Sequence, residues 1–118
     1  MKTCEELYDS ACCQSHDQRK AIVAREKRSK YIMQNPKQKT LLHLTVDACL
    51  LDQADGEQCD RLIAICEDKK LYFVELKGSS VKKAASQLLS TVDHAFFQPH
   101  LADAKASFVR IIPIRVQP

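Results

Sequence analysis

The chain has 118 residues, of which 45% are hydrophobic and 28% charged, and its formal net charge is +3. This length predicts one domain over residues 1–118 and leaves little room for a second, and the composition is that of an ordinary soluble protein. No apolar stretch approaches the roughly 18 residues of a membrane span, and no secretory segment follows Met1, so we expect a cytoplasmic protein without a membrane partner.

The first 40 residues are predicted to form a helical and basic segment. Thr3 followed by Glu6 is typical of a helical capping box and predicts a helix through about residue 15. Residues 17–33 are polar and basic around a short apolar run. Their pattern fits either a second helix or an extended basic arm, and periodicity does not decide between them.

Charge is unevenly distributed along the chain. Residues 14–40 carry eight Lys or Arg against two acidic residues, whereas residues 41–70 carry seven Asp or Glu against three basic residues. A basic flank beside an acidic pocket is typical of a protein that binds a polyanion and holds a cation against it, and a solvated basic surface is the alternative. The candidate phosphate contacts, with Tyr31 available to stack on a base, are Lys27, Arg28, Lys30, Lys37 and Lys39.

Three apolar runs predict three consecutive strands, over residues 41–51, 61–66 and 71–76. Asp55-Gly56 marks the turn after the first run, and a charged turn at residues 67–70 joins the other two. The Gly78-Ser79-Ser80 segment then interrupts the sheet.

A helix and a last strand follow. Ser80 is a candidate N-cap, and apolar residues at helical spacing predict an amphipathic helix over residues 81–97. Residues 107–116 are predicted to form a fourth strand, and Pro113 favours an edge or a bulged position for it.

The predicted order is therefore α-β-β-β-α-β. A helix between the third and fourth strands can form a right-handed crossover, which makes part of the sheet parallel. The sequence predicts an α/β (α+β) domain with a mixed four-stranded sheet flanked by helices.

Polar residues at two strand ends are the strongest functional signal. Asp60 begins the second predicted strand, and side chains alternate along the third, so Glu75 and Lys77 project from the same face. A hairpin can bring the carboxylate of Asp60 next to Glu75. Converging Asp, Glu and Lys side chains can hold a divalent cation and prepare a water for attack on a phosphodiester. An ordinary ion pair at a strand edge is the alternative.

At this point the chain resembles the PD-(D/E)xK nuclease superfamily, which has the restriction-endonuclease-like fold. The resemblance covers about residues 35–116 and includes small bacterial and phage members. It depends on Asp60 at the start of one strand, on Glu75-x-Lys77 in the next, and on Gln87 in the following helix. The Pro that precedes the Asp in the family motif is Cys59 here, and Gln87 is followed by Thr91 where some lineages carry Tyr.

The resemblance implies a metal-dependent nuclease. Mg²⁺ or Mn²⁺ would be held by the carboxylates of Asp60 and Glu75 and the backbone carbonyl of Leu76, while Lys77 orients the attacking water. The candidate accessory residues are Asp47 and Gln87. The implied substrate is DNA rather than RNA, in bacterial defence or on a mobile element, with a homodimer or a larger protein partner as the assembly. A catalytically inactive nuclease fold that binds nucleic acid or protein is the alternative.

Six cysteines complete the sequence features. Without an export signal, we expect all of them to be reduced thiols. Cys12 and Cys13 with His16 could begin a zinc site, but no second ligand pair at zinc-binding spacing follows.

Overall fold

The computed structural model describes residues 1–26, 29–76 and 80–112. The helices are α1 (Lys2–Leu7), α2 (Val81–Asp93) and α3 (Gln98–Asp103). The strands are β1 (Cys13–Asp17), β2 (Ala21–Glu26), β3 (Ser29–Gln34), β4 (Leu41–Thr45), β5 (Arg61–Ile65), β6 (Lys70–Glu75) and β7 (Ala106–Ile111). None of the helices within these ranges has the length and apolar character required to cross a bilayer.

Five strands form one mixed sheet in the order β1-β4-β5-β6-β7. The pairs from β1 to β6 are antiparallel, whereas β6 and β7 are parallel and are connected through α2 and α3. The predicted parallel pairing through a helical connection is therefore confirmed, and the domain is a mixed α+β structure. The predicted four-stranded sheet corresponds to β4–β7, and β1 extends it by an edge strand that the sequence did not indicate.

Both faces of the central strands are covered, which explains their nearly continuous apolar sequences. One face packs against Leu88 of α2 and Phe97, and the other packs against a separate antiparallel hairpin of β2 and β3, called the hairpin below. The sheet residues on the helical side are Leu42, Leu44, Leu62, Ala64, Leu71 and Phe73, and those on the hairpin side are Leu41, Ile63, Val74 and Leu76.

The N-terminal predictions are wrong in detail. The first helix ends at Leu7, and Thr3 is not its cap but a buried residue whose hydroxyl hydrogen-bonds Nδ1 of His100 at 2.9 Å. Of the two alternatives left open for residues 17–33, the second helix is wrong, because the described part of this region forms strands. In β2 the buried residues Ile22 and Ala24 alternate with exposed Val23 and Arg25, which is the period of a strand lying on a core.

Element boundaries differ at the ends of the other predictions. Strand β4 ends at Thr45 instead of residue 51, because the chain turns through Val46–Leu50 and Ala48 has a φ of 56°. Helix α2 begins as predicted, with Oγ of Ser80 accepting a hydrogen bond from the Lys83 N–H at 3.3 Å. It ends at Asp93, four residues before the predicted end. Strand β7 lies at the sheet edge as expected, and Pro113 is outside the described residues.

The expectation of six reduced cysteines is wrong. Disulfides join Cys4 to Cys66 and Cys12 to Cys49, with Cα–Cα distances of 6.1 Å and 5.7 Å, and Cys13 and Cys59 stay free. Both bonds attach the N-terminal segment to the sheet, one at the end of β5 and one in the turn after β4. Because Cys12 is oxidised, it cannot serve as the first ligand of the zinc site considered above.

Candidate active site at the ends of β5 and β6

Asp60 lies immediately before β5 and is only 3% exposed. Its backbone N–H donates to the carbonyl of Val74 at 3.1 Å, and its carboxylate Oδ2 accepts a hydrogen bond from the N–H of Leu76 at 2.7 Å. These two contacts are made to the residues on either side of Glu75. The carboxylate of Asp60 therefore lies beside the last residue of β6.

Glu75 is fixed from the other side of β6. It is 1% exposed, pairs in parallel register with Ile111 of β7, and its backbone carbonyl accepts a hydrogen bond from the N–H of Ile112 at 2.9 Å. Glu75 thus stands where the ends of β5, β6 and β7 meet. The structure brings Asp60 and Glu75 together as the sequence predicts, whereas Lys77 lies outside the described residues.

Burial dominates the electrostatics of the Cys59 thiol next to Asp60. The pKa of the fully buried Cys59 thiol is raised to about 12, chiefly by burial and further by the nearby carboxylates of Glu75 and Asp60. Cys59 is held in place by its N–H, which donates to Oγ1 of Thr91 in α2 at 2.9 Å. The thiol is therefore neutral at physiological pH, and it acts as an apolar wall rather than as a nucleophile.

The predicted accessory residues Asp47 and Gln87 line one pocket of about 360 Å³, together with Gln53, Gly56, Glu57 and Gln58. The side-chain amide of Gln87 donates to the carbonyl of Gln58 at 3.4 Å. Asp47 follows Val46, whose N–H donates to the carbonyl of Asp60 at 3.0 Å. The pocket is thus directly connected to the backbone that carries Asp60.

The Cys12–Cys49 disulfide restrains the turn on which Asp47 stands. Cys49 follows Asp47 by two residues, and Cys12 lies immediately before β1, which is an edge strand of the sheet. Sequence reasoning missed this connection. Two cysteines in separate apolar segments gave no signal that they would meet.

The predicted nucleic-acid contacts are dispersed. Lys30 is exposed on β3, whereas Tyr31 is partly buried against the apolar cluster under the hairpin. Lys39 forms an ion pair with Asp68 at the opposite end of the sheet from Asp60, because Leu41 pairs with Ile65 there. Exposed Lys37 belongs to the same end, and Lys27 and Arg28 lie outside the described residues.

Arg61 is a structural residue that sequence reasoning did not single out. It is 7% exposed, and its guanidinium donates to Oε1 of Glu26 and to the carbonyl of Arg25, each at 2.9 Å. These bonds attach the turn end of the hairpin to the sheet one residue after Asp60. A charged residue at the start of a buried strand was the available signal, since such groups are normally paired.

The candidate metal ligands at the ends of β5 and β6 are all oxygen atoms. Two carboxylates and the carbonyl of Leu76 are hard oxygen donors, which suit Mg²⁺ or Mn²⁺, and these ions retain several waters. Within residues 1–26, 29–76 and 80–112, no group of three or more His, Cys, Asp or Glu side chains is arranged to hold a metal ion. An ion at this site would be held by the two carboxylates, the Leu76 carbonyl and water.

Comparison with known proteins adds no family assignment. No protein-family model, no curated protein and no solved structure matches the chain.

Proposed function

We propose that the protein is a metal-dependent phosphodiesterase of the PD-(D/E)xK type, with a restriction-endonuclease-like core, that cleaves DNA. The observation that carries the proposal is the position of the Asp60 carboxylate, which is bonded to the Leu76 N–H and lies beside Glu75. Neighbouring carboxylates at the end of a sheet supply the oxygen ligands that a divalent cation prefers.

The chain's own residues have distinct roles in this proposal. Asp60, Glu75 and the carbonyl of Leu76 would hold Mg²⁺ or Mn²⁺, and Lys77, two residues after Glu75, orients the attacking water. When bound, such an ion lowers the pKa of a coordinated water and stabilises negative charge on the phosphate. The water oxygen bonds to phosphorus while one P–O ester bond breaks, and a proton from the water passes to the leaving oxygen.

The pocket lined by Asp47 and Gln87 would supply the accessory contacts. Asp47 can hold a second water or cation, and Gln87 keeps the backbone before Asp60 in position through Gln58. A homodimer or a larger partner would provide targeting, in bacterial defence or on a mobile element.

The second candidate function is a nuclease fold without catalysis, which binds nucleic acid or protein. One observation favours it, namely that Asp60 and Glu75 are only 3% and 1% exposed. A phosphodiester can reach carboxylates buried to this extent only if the neighbouring backbone moves.

A cleavage assay distinguishes the two functions. Supercoiled plasmid, linear duplex and single strands are incubated with wild type, Asp60→Asn, Lys77→Ala and Asp9→Asn, with and without Mn²⁺. Asp9 is an exposed carboxylate outside the site, so its variant is the matched control. The nuclease proposal expects metal-dependent cleavage by wild type and Asp9→Asn, and loss of cleavage in the other two.

The remaining outcomes are also informative. Equal cleavage by all four proteins would place the activity in a contaminant or on other residues, which contradicts the proposal. A third outcome is that none of the four proteins cleaves any substrate, while wild type and Asp60→Asn bind DNA with equal affinity. The inactive nuclease fold is then the better description.

A further inference from the structure

The two disulfides lie in different environments. Cys4 is 7% exposed and belongs to the main apolar cluster of the core, against which Cys66 packs. Cys49, in contrast, is exposed and lines an open depression of about 520 Å³, and its partner Cys12 is half-buried. Exposed disulfides are reduced more readily than buried structural ones. The Cys12–Cys49 bond is therefore the one that a reductant in solution can reach.

Cys12 is an anchored end of this bond. Its backbone carbonyl accepts a hydrogen bond from the N–H of Thr45 at 2.9 Å, and its backbone N–H donates to Oγ of Ser10 at 3.1 Å. Thr45 is the last residue of β4, so Cys12 is held against the sheet by its main chain as well as by the disulfide. Breaking the S–S bond leaves these backbone contacts in place.

The turn that carries Cys49 depends more on the disulfide. It begins at buried Val46, whose N–H donates to the carbonyl of Asp60 at 3.0 Å, and it closes where the N–H of buried Leu51 donates to the carbonyl of Val46 at 3.1 Å. Between these ends, Ala48 has a φ of 56°, a conformation that is unfavourable for a residue with a Cβ. The disulfide ties this part of the turn to the segment before β1, so we expect the turn to relax when the bond is broken.

Movement of the turn reaches the candidate site through Asp47. This residue lies inside the turn and lines the pocket of about 360 Å³ together with Gln53 and Gln87. Gln53 also lines the depression that contains Cys49. The disulfide and the pocket are therefore neighbours, and the bond restrains the backbone on which Asp47 stands.

We propose that the Cys12–Cys49 disulfide is a redox site whose co-substrate is an external dithiol, and that its reduction releases the turn and with it Asp47. The redox step goes beyond the proposed nuclease function, and only its effect on cleavage rests on that function. In the oxidised protein Asp47 has a fixed place in the pocket. In the reduced protein it does not.

The step is a thiol–disulfide exchange. A thiolate of the dithiol attacks Sγ of exposed Cys49, a mixed disulfide forms, and Cys12 leaves as a thiolate that takes up a proton. The second thiol of the reductant then displaces Cys49 and closes the reductant's own disulfide, so that two electrons and two protons pass to the protein. Exchange with the free thiol of Cys13 would leave the number of disulfides unchanged. Burial raises the pKa of Cys13, which makes this internal exchange slow.

The first measurement needs no variant. Native wild type is treated with dithiothreitol for increasing times, free thiols are blocked with N-ethylmaleimide, and peptide mass spectrometry reports the reduced fraction of each bond. We expect the Cys12–Cys49 bond to be reduced about ten-fold faster than the Cys4–Cys66 bond, or more. Equal rates, or earlier reduction of Cys4–Cys66, would overturn the inference. Cys13→Ser should show the same order of reduction, and loss of that order would contradict direct attack by the dithiol.

Hydrogen exchange tests the release of the turn. In wild type with the Cys12–Cys49 bond selectively reduced, the amides of residues 46–51 should exchange about ten-fold faster than in the oxidised protein, while those of β5 and β6 keep their rates. Cys12→Ser/Cys49→Ser should show the same pattern without reductant, and Cys4→Ser/Cys66→Ser is the matched control that should not show it. Selective reduction without faster exchange in the turn would overturn the inference. The wild-type comparison decides this even if a double variant does not fold.

Failure of the two proposals can be told apart by plasmid cleavage with Mn²⁺, measured for oxidised wild type and Cys12→Ser/Cys49→Ser. We expect cleavage by the variant to be slower by about ten-fold, because Asp47 is misplaced. If reduction releases the turn but neither protein cleaves, the redox site stands and the nuclease function fails. If both cleave equally and the turn keeps its protection, the nuclease function stands and the redox site fails. Equal cleavage with a released turn would contradict the link through Asp47.

Discussion

The carboxylate of Asp60 accepts a hydrogen bond from the backbone N–H of Leu76 at 2.7 Å, across the ends of β5 and β6. Asp60→Asn keeps an oxygen that can accept this bond, whereas Asp60→Ala leaves a buried N–H without its acceptor. We expect the Ala variant to be less stable than the Asn variant by about 1 to 3 kcal/mol in urea unfolding at neutral pH. Equal stability of the two variants would contradict a structural role for the bond.

Protonation of His43 should destabilise the fold in acid. Burial, with Arg61 and Arg19 adding to it, lowers the pKa of this 4% exposed imidazole to about 4. Below the ordinary pKa of histidine, His43 is protonated in the unfolded chain but stays neutral in the folded chain. The stability of the fold therefore falls as pH decreases from about 6.5 to about 4. Between about pH 7 and about pH 4.5 the loss from this residue is about 2.5 kcal/mol.

The measurement is urea unfolding of wild type and His43→Leu at both pH values. The free energy of unfolding that is lost between the two pH values should be smaller in His43→Leu than in wild type, by about 2.5 kcal/mol. His16→Gln, which changes an exposed ring, is the control and should retain the wild-type dependence. An acid loss that is the same in His43→Leu and wild type would show that another group is responsible.

Thiol titration should find two free cysteines in the denatured, unreduced protein and six after reduction. In the native protein, Cys59 should not react, because its pKa is raised to about 12 by burial. Cys13 should react slowly, since burial raises its pKa as well. Six reactive thiols in the denatured, unreduced protein would show that the disulfides do not form under the conditions of purification.

Each disulfide should contribute substantially to stability. The bonds join residues separated by 62 and 37 positions, and the chain-entropy model assigns about 4 kcal/mol to loops of this size. The double variants Cys4→Ser/Cys66→Ser and Cys12→Ser/Cys49→Ser should each lower the urea midpoint under oxidising conditions. Under reducing conditions the difference from wild type should largely disappear, and a difference that persisted would point to packing of the sulfur atoms instead.

Removing the anchor of the hairpin should loosen it without unfolding the sheet. Arg61→Met removes the bonds to Glu26 and to the Arg25 carbonyl, at a cost of about 3 kcal/mol for a largely buried pair. Glu26→Gln keeps an acceptor and should cost less. Hydrogen exchange should accelerate in β2 and β3 more than in β5 and β6, and uniform acceleration across all strands would contradict local anchoring.

The central elements were predictable because their sequences carry strong local signals. Strands β5 and β6 are continuous apolar runs separated by a charged turn, and α2 combines a helical period with a Ser80 cap. The meeting of Asp60 and Glu75 followed from these strands, because a hairpin leaves few alternatives for the residues at its open end. Their catalytic role is still a prediction.

The N-terminal third could not be predicted, for a physical reason. The buried side of the hairpin is made by small or scattered residues such as Ile22, Ala24 and Met33, and its open side is charged. Such a segment has little local preference and becomes a hairpin because the sheet offers an apolar face to cover. The disulfides were missed for a similar reason, since the bonded cysteines meet only after β1 and α1 dock on the sheet.

The two disulfides are nested, with the Cys12–Cys49 bond lying inside the segment closed by Cys4 and Cys66. A single break in the backbone anywhere between these outer cysteines therefore leaves both fragments covalently joined. This segment is about half of the chain and contains Asp60. One proteolytic cut within it cannot separate the two fragments. A cut between Cys66 and Glu75 would release a piece that contains Glu75 and would leave Asp60 on the other fragment.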